Sequence, residues 1–229
     1  MANRFYKSVS TQEKDGRFQV LLDERVLKTP GKMAFTLPTK PLAEAVAKEW
    51  DAQTDKIEPA NMPLTRLMNV ALEQTPDRRP ELLDEAKRYT STDLLCYRAP
   101  EPRILVERQS EGWDGWLAWA KSRGIDLIST QSLIAIVQPE SAYESISAYA
   151  KSLDDIRLTL FLHFTAVFGS VVLAMAVIEK ALTAEEAFDL SRLDILYQNE
   201  LWGEDEEAAE NARDLRNETV SLGTVLDLL

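Results

Sequence analysis

The chain has 229 residues, 45% hydrophobic and 28% charged, a balance that excludes disordered, collagen-like and coiled-coil classes and indicates a soluble globular protein. Its 38 acidic and 26 basic residues give a net charge of −12, which argues against nucleic acid or an anionic membrane surface as partner. A single cysteine, Cys96, and a single histidine, His163, exclude an internal disulfide and any site that needs several Cys or His ligands.

Short β-strands are predicted over the first forty residues. Phe18, Val20 and Leu22 recur at every second position, which is the period of a strand with one buried face. The pairs Asp15-Gly16 and Pro30-Gly31 are typical turn residues. Together these signals predict a meander of three or four strands.

A helix is predicted directly after the strands. Pro41 suits a first helical turn, and Leu42, Val46 and Trp50 share one apolar face. A sheet covered by one helix is a small α+β unit. We therefore expect an α+β fold, with a small N-terminal domain of β-meander plus helix at residues 1–62 and a larger all-helical domain at residues 63–229.

Further helices are predicted nearly to the C-terminus. Pro76 and Pro80 are expected to break the helical pattern, and residues 125–137 are expected to form either a short strand or an irregular segment. Thr183 and Glu186 have the spacing of a capping box at a helix start. The predicted helices begin near residues 64, 81, 104, 141, 158 and 183.

One apolar run could be a buried helix or a membrane span. Residues 158–178 carry no formal charge over 21 positions, which is long enough to cross a bilayer. The run contains His163, Gly169 and Ser170, however, and the charges that flank it show no positive-inside bias. We favour one helix buried in the centre of the helical domain, with His163 in the core, and keep a membrane-attached factor as the alternative.

Motifs for catalysis are absent from the sequence. There is no glycine-rich phosphate loop, no G-x-S-x-G elbow and no calcium-loop spacing. The sequence thus predicts a protein that is not an enzyme and holds no metal. Two carboxylates alone can hydrolyse a glycoside, so a small-molecule enzyme with paired carboxylates remains the alternative.

Three tryptophans lie close together on one predicted helix. Trp113 and Trp116 share a face, with Trp119 beside them. Core packing is the favoured interpretation because each indole can bury a large area, and an aromatic platform for a partner or a sugar is the alternative.

An acidic run follows Trp202 and Gly203. Glu204, Asp205, Glu206 and Glu207, with Glu210 one turn later, suit the first turn of a helix because the helix dipole favours acids there. The run is either a solvated helix start or an anionic patch for a basic surface of a partner. Trp202 beside it is a suitable apolar anchor.

Several short motifs, in order over about 200 residues, resemble one known family. They are Arg4-Phe5-Tyr6, Leu22-Asp23-x-Arg25-x-Leu27-Lys28-Thr29-Pro30, Glu49-Trp50-Asp51-x-Gln53, Met62-x-Leu64-Thr65-x-Leu67-x-Asn69, Thr92-Asp93-x-x-Cys96-Tyr97-Arg98, Leu190-Ser191-Arg192-Leu193 and Trp202-Gly203. The sequence is similar to the assembly chaperones of the ATP synthase catalytic head, the factors that hold the unassembled alpha subunit.

The resemblance implies the same two-part fold, no catalysis, no cofactor, and transient binding of the alpha subunit until it pairs with beta. It implies that a glutamate shortly after the Trp-Gly pair matters for function, which corresponds here to Glu206. The predicted partner-binding residues are Glu206, Trp202, Gly203, Glu204, Asp205, Glu207, Glu210 and Arg192. Eukaryotic relatives work in the mitochondrial matrix. The N-terminus shows no presequence pattern, so we expect a bacterial cytoplasmic protein, monomeric when free.

Overall fold

The structure is a computed structural model and describes residues 2–132 and 134–229. Its strands are β1 (Val9–Lys14), β2 (Arg17–Leu22), β3 (Arg25–Val26) and β4 (Thr36–Leu37). Its helices are α1 (Lys40–Asp51), α2 (Pro63–Glu73), α3 (Thr75–Ser91), α4 (Arg103–Lys121), α5 (Glu140–Ser152), α6 (Asp155–Phe168), α7 (Val171–Ile178), α8 (Ala184–Ser191), α9 (Leu193–Trp202), α10 (Glu206–Gly223) and α11 (Val225–Leu228). The predicted α+β class, a small antiparallel sheet followed by helices, is confirmed.

The sheet is built around β2, which pairs antiparallel with β1, β3 and β4. Asp15 and Gly16 connect β1 to β2 and both have positive φ, 54° and 74°. Positive φ at both central residues gives a turn whose twist matches that of the paired strands, which explains the Asp-Gly pair. The register opposes Val9 to Leu22 and Lys14 to Arg17.

Helix α1 covers the sheet as predicted. The Thr39 hydroxyl accepts a hydrogen bond from the Leu42 N–H and so caps the helix. Leu42, Ala43 and Val46 are fully buried, and α1 packs against β1 and β2. Burial of this apolar face is what holds the helix to the sheet.

Glu49 fixes the start of the next helix. Its carboxylate accepts hydrogen bonds from the backbone N–H groups of Leu64 (2.7 Å) and Thr65 (2.8 Å) and from the Thr65 hydroxyl (2.7 Å). Burial raises the pKa of Glu49, and these hydrogen bonds act in the opposite direction. The Glu-Trp-Asp motif therefore joins α1 to α2.

The chain divides into two compact units, Met1–Arg78 with Ser221–Leu229, and Arg79–Val220. This division differs from the predicted boundary after residue 62. It places α2 and the C-terminal residues with the sheet, because the Glu49 contacts tie α2 to α1 and α11 packs on α1. The first unit therefore contains both ends of the chain.

The apolar run of the second unit forms two helices, so the prediction of one helix is wrong. Gly169 ends α6 in the left-handed conformation with φ 66°, which an L side chain rarely adopts. The Ser170 hydroxyl then caps α7 by accepting from the Leu173 N–H at 3.1 Å. All eight residues of α7 are buried. His163 in α6 is half-buried rather than fully in the core, and its ring makes a T-shaped contact with that of Phe164, with ring centres 5.9 Å apart. No helix in residues 2–132 and 134–229 has the length and apolar character needed to cross a bilayer.

Asp93 links the loop after α3 to the start of α7. Its fully buried carboxylate accepts hydrogen bonds from the Ser170 hydroxyl (2.9 and 3.0 Å) and from the backbone N–H groups of Leu95 (3.0 Å) and Val172 (3.2 Å). Burial raises the pKa of Asp93 to about 6 against the pull of these hydrogen bonds. The Thr-Asp motif is thus a structural joint in the core of the second unit.

The predicted helix break at Pro76 and Pro80 is wrong, since α3 runs through both residues. Pro76 lies in the first turn, where a missing N–H costs nothing. The hydrogen bond that Pro80 lacks would have reached the carbonyl of Pro76, still within the first turn, and this limits the loss. Residues 125–132 and 134–137 are irregular apart from one isolated bridge, between Thr130 and Tyr97, and residue 133 lies outside the described residues.

Candidate partner-binding site

The predicted site lies where α9 meets α10, and Gly203 forms the bend. Gly203 has φ 88° and ψ 161°, a combination that is essentially restricted to glycine. Its N–H donates to the Asn199 carbonyl at 2.9 Å and closes α9. We call residues 202–210 the acidic elbow. The Trp-Gly motif is therefore a backbone requirement of this elbow.

Asp205 and the next two acids start α10. The Asp205 carboxylate accepts from the Ala208 N–H at 2.8 Å, which is the geometry of a helix cap. Glu206 and Glu207 occupy the first turn of α10, where the helix dipole stabilises negative charge. The expectation that this acidic run begins a helix is confirmed.

The other carboxylates of the elbow have no cationic partner among the described residues. Glu204, Glu206, Glu207 and Glu210 are exposed, and none forms an ion pair within the described part of the chain. Neighbouring like charges repel one another, and the helix dipole offsets only part of that repulsion. The elbow thus presents uncompensated negative charge to solvent.

Exposed apolar side chains lie on the helix that leads into the elbow. Trp202 is 78% exposed, and Ile195, Leu196 and Leu201 are 45–55% exposed. Ile195 and Trp202 are seven residues apart and so lie on one side of α9, with Leu196 and Leu201 flanking it. These four side chains define what we call the apolar face of α9. The sequence prediction included only Trp202, because apolar residues occur on every side of α9 and no single stripe stands out.

Helix α9 is held firmly against α4. The Arg108 guanidinium donates to Glu200 at 2.8 Å and lies over the Tyr197 ring, with the guanidinium carbon 5.6 Å from the ring centre. The buried Gln109 amide donates to Asp194 at 2.7 Å. The apolar face is therefore presented on a fixed helix, which lowers the entropic cost of binding a partner.

Helix α10 is tied to α8 through Arg216. Its guanidinium donates to Asp189 at 3.0 and 3.1 Å and to Glu185 at 2.9 Å. Arg216 lies about one and a half turns beyond the acidic elbow, and these bonds fix the direction of α10. Arg192 lies at the other end of α9 from Trp202, about 15 Å away along the helix axis. It donates to the Val167 carbonyl at 3.2 Å, and its guanidinium carbon lies 4.9 Å from the Phe188 ring centre.

The tryptophans of α4 lie mostly inside the unit. Trp113 is fully buried and donates from Nε1 to the Leu190 carbonyl at 2.9 Å, which confirms core packing for this residue. Trp116 and Trp119 are half-buried with their ring centres 6.0 Å apart, and Arg123 lies over Trp119 at 3.9 Å.

Comparison with known proteins identifies the family. The family model described as ATP12 chaperone protein matches residues 3–121. A curated relative, the mitochondrial protein atp12 of Schizosaccharomyces pombe, is 27% identical over 234 residues, which is 95% of this chain and 80% of the relative.

Solved structures agree with this match over nearly the whole chain. The crystal structure of Atp12 from Paracoccus denitrificans is 38% identical and superposes with a TM-score of 0.92, covering 99% of this chain and 98% of that one. A putative chaperone from Agrobacterium tumefaciens is 36% identical, with a TM-score of 0.92 and coverage of 99% and 85%. The chain belongs to the ATP12 chaperone family, the assembly chaperones of the ATP synthase catalytic head that its motifs indicated.

Proposed function

We propose that this chain binds the unassembled alpha subunit of the ATP synthase catalytic head and keeps it from aggregating until it pairs with beta. An isolated subunit of an oligomer exposes surface that its neighbours would cover, and such surface aggregates. A protein that covers it needs an exposed apolar face with polar surroundings, and it needs no reaction centre. Membership of the ATP12 chaperone family supports this role.

One observation supports the position of the contact. Trp202 is 78% exposed on a helix held firmly by α4, directly beside acidic side chains that have no cationic partner in the described residues. Tryptophan is enriched among the residues that dominate binding energy at interfaces. We therefore propose that the apolar face of α9 and the acidic elbow together contact an apolar surface of the alpha subunit that is rimmed by Lys or Arg.

The test is co-expression with the alpha subunit of the same organism, followed by size-exclusion chromatography. We expect a soluble complex that dissociates when beta is added. Trp202→Ala is expected to weaken the complex by about 30-fold or more, the effect of losing a residue worth about 2 kcal/mol. Glu206→Lys is expected to weaken it because the reversed charge would repel a basic rim.

Matched controls separate the site from general effects. Phe5→Ala removes another exposed aromatic side chain, and Glu144→Lys makes the same charge reversal at an exposed position of α5. Neither is expected to change binding. If Glu206→Lys binds alpha as the wild type does, the proposed site is wrong. If alpha stays insoluble or elutes alone, the proposed function fails.

The predicted absence of catalysis is part of this proposal. A carboxylate enzyme needs two facing acids in a cleft, whereas the cavity beside α4 is lined by one carboxylate, Asp114, which Arg98 contacts at 2.8 Å. Detection of glycoside or ester hydrolysis that Asp114→Asn abolishes would favour the enzyme alternative.

We further propose that the free protein is a monomer in a bacterial cytoplasm. The bacterial structures are 36–38% identical to this chain, against 27% for the yeast mitochondrial relative. A net charge of −12 also disfavours self-association. Light scattering of the free protein and fractionation of the native host test the two statements.

A further inference from the structure

A second candidate surface lies beside α4, at the end of the Thr92–Arg98 motif. A cavity of about 550 Å³ opens between α4 and residues 129–131, within the size range of ligand sites. Arg98, Val106, Ser110 and Asp114 line the side formed by α4 and the preceding loop. We call this cavity the α4 groove.

The loop that forms the other wall is fixed in place. The buried Gln138 amide accepts from the Ile128 N–H at 2.8 Å and donates to the Ile128 carbonyl at 2.9 Å, so one side chain closes the loop. Thr130 donates to the Cys96 carbonyl (2.7 Å) and accepts from the Arg98 N–H (2.8 Å). The groove is therefore formed before any ligand binds.

The loop offers a short open backbone edge at residues 129–131. The isolated bridge uses the N–H and C=O of Thr130, so the Ser129 C=O and the Gln131 N–H, which lie on the other side of the same two trans peptide groups, point away from Tyr97. The backbone N–H and C=O groups of Ser129 and Gln131 make no hydrogen bond with any described residue. Such an edge can accept another extended chain.

Charge decides what kind of chain fits. Residues 127–139 carry no formal charge, although 28% of the whole chain is charged. The two ionic groups of the groove, Arg98 and Asp114, are paired at 2.8 Å and cancel. Ile134 and Val137, on the same loop, are 78% and 85% exposed. An uncharged, apolar segment therefore suits this surface, and a second copy of a chain with net charge −12 does not.

We infer that the α4 groove and the edge at residues 129–131 bind an extended, uncharged segment of the client polypeptide by strand addition. The hydroxyl and amide groups of the groove contact the client backbone, and Ile134 and Val137 contact its apolar side chains. This inference rests on the proposed chaperone function and adds a contact separate from the acidic elbow.

The test uses synthetic peptides of 15 residues that tile the alpha subunit, with binding to the full chain followed by fluorescence anisotropy. The peptides that bind are expected to be uncharged and rich in alternating apolar residues. N-methylation of every second amide is expected to reduce affinity at least tenfold in one register and little in the other, because only one set of amides faces the edge. Ser110→Tyr, which fills the groove, is expected to have a similar effect.

Ala118→Tyr is the matched control, since it adds the same side chain at an exposed position of α4 outside the groove. Ser129→Tyr on the opposite wall repeats the test if Ser110→Tyr does not fold, as judged by circular dichroism. Equal loss in both N-methyl registers, full binding by both groove variants, or binding of charged peptides only would overturn the inference. So would the absence of any bound peptide. Retention of the alpha complex in those cases would leave the proposed function standing.

Discussion

Replacement of Asp93 by Asn is expected to abolish the loss of stability that Asp93 causes in the wild type as the pH rises from 4 to 7. The buried carboxyl has a pKa of about 6 in the folded chain and 3.8 in a model peptide. The folded state therefore binds more protons than the unfolded state between these values. The stability that this group contributes is fully present below pH 3.8 and is lost as the pH rises through 6.

The size of the effect follows from the shift. A difference of about 2.2 pKa units corresponds to about 3 kcal/mol, because one unit is worth about 1.36 kcal/mol. Asn has the shape of the protonated acid and does not titrate. At pH 4 the unfolded carboxyl is already about half ionised, so the free energy of unfolding of Asp93→Asn minus that of the wild type should rise by about 2.5 kcal/mol between pH 4 and pH 7.

The assay is urea unfolding at 25 °C over this pH range, followed by tryptophan fluorescence. Four of the five tryptophans lie in Arg79–Val220, the unit that contains Asp93, so the signal reports mainly on that unit. Subtracting the two proteins removes the titration of every other carboxylate. Ser170→Ala removes one hydrogen-bond donor to the Asp93 carboxylate and should make the stability fall more steeply as the pH rises. If the stability difference between Asp93→Asn and the wild type stays constant from pH 4 to 7, the reasoning is refuted. If that difference falls, the hydrogen bonds lower the pKa of Asp93 more than burial raises it.

Three further predictions concern the joints and the charge of the molecule. Glu49→Ala should destabilise the sheet-containing unit by about 2–3 kcal/mol, because two backbone N–H groups lose their acceptor. The control Glu44→Ala removes only an exposed ion pair and should cost about 0.5 kcal/mol at most, so equal melting temperatures of the two variants would contradict this reasoning. Gly169→Ala should lower the free energy of unfolding by about 1–2 kcal/mol, because alanine is strained at the positive φ of this position. Gly115→Ala lies within helix α4, its added Cβ meets no atom within 4 Å, and it should raise the free energy of unfolding by about 0.5–1 kcal/mol. A Gly169→Ala variant more stable than Gly115→Ala would refute the argument from φ. The affinity for the alpha subunit should fall as NaCl rises from 50 to 500 mM, with a smaller dependence in Glu206→Gln, and a salt-independent affinity would remove the charge argument.

The sequence predicted the elements whose signals are local. The Asp15-Gly16 turn, the capping box at Thr183 and the apolar face of α1 are each set by neighbours within a few positions, and the structure has them as predicted. The end of α6 at Gly169 was missed because the apolar residues continue without interruption from α6 into α7. The Gly-Ser pair at 169–170 was the available signal, since it combines a left-handed end with a cap.

Contacts between distant residues could not be read from the sequence. Asp93 meets Ser170 across 77 positions, and nothing local marks either residue as a partner of the other. The apolar face of α9 was hidden for a different reason. Ile195, Leu196 and Leu201 would each be expected inside a helical domain, and only the packing of α9 on α4 through Tyr197 and Asp194 leaves them in solvent.

The motifs that carry the family resemblance are therefore mainly parts of the scaffold. Glu49 joins α1 to α2, Asp93 joins a loop to α7, and Gly203 permits the bend of the acidic elbow. Backbone joints of this kind tolerate few residue types, because each needs a particular acceptor or a particular φ. An exposed face needs only apolar character and can vary with the client. A family match made through these structural residues therefore transfers the shape of the chaperone, and under our proposals the side chains that choose its client lie on the apolar face of α9 and along the α4 groove.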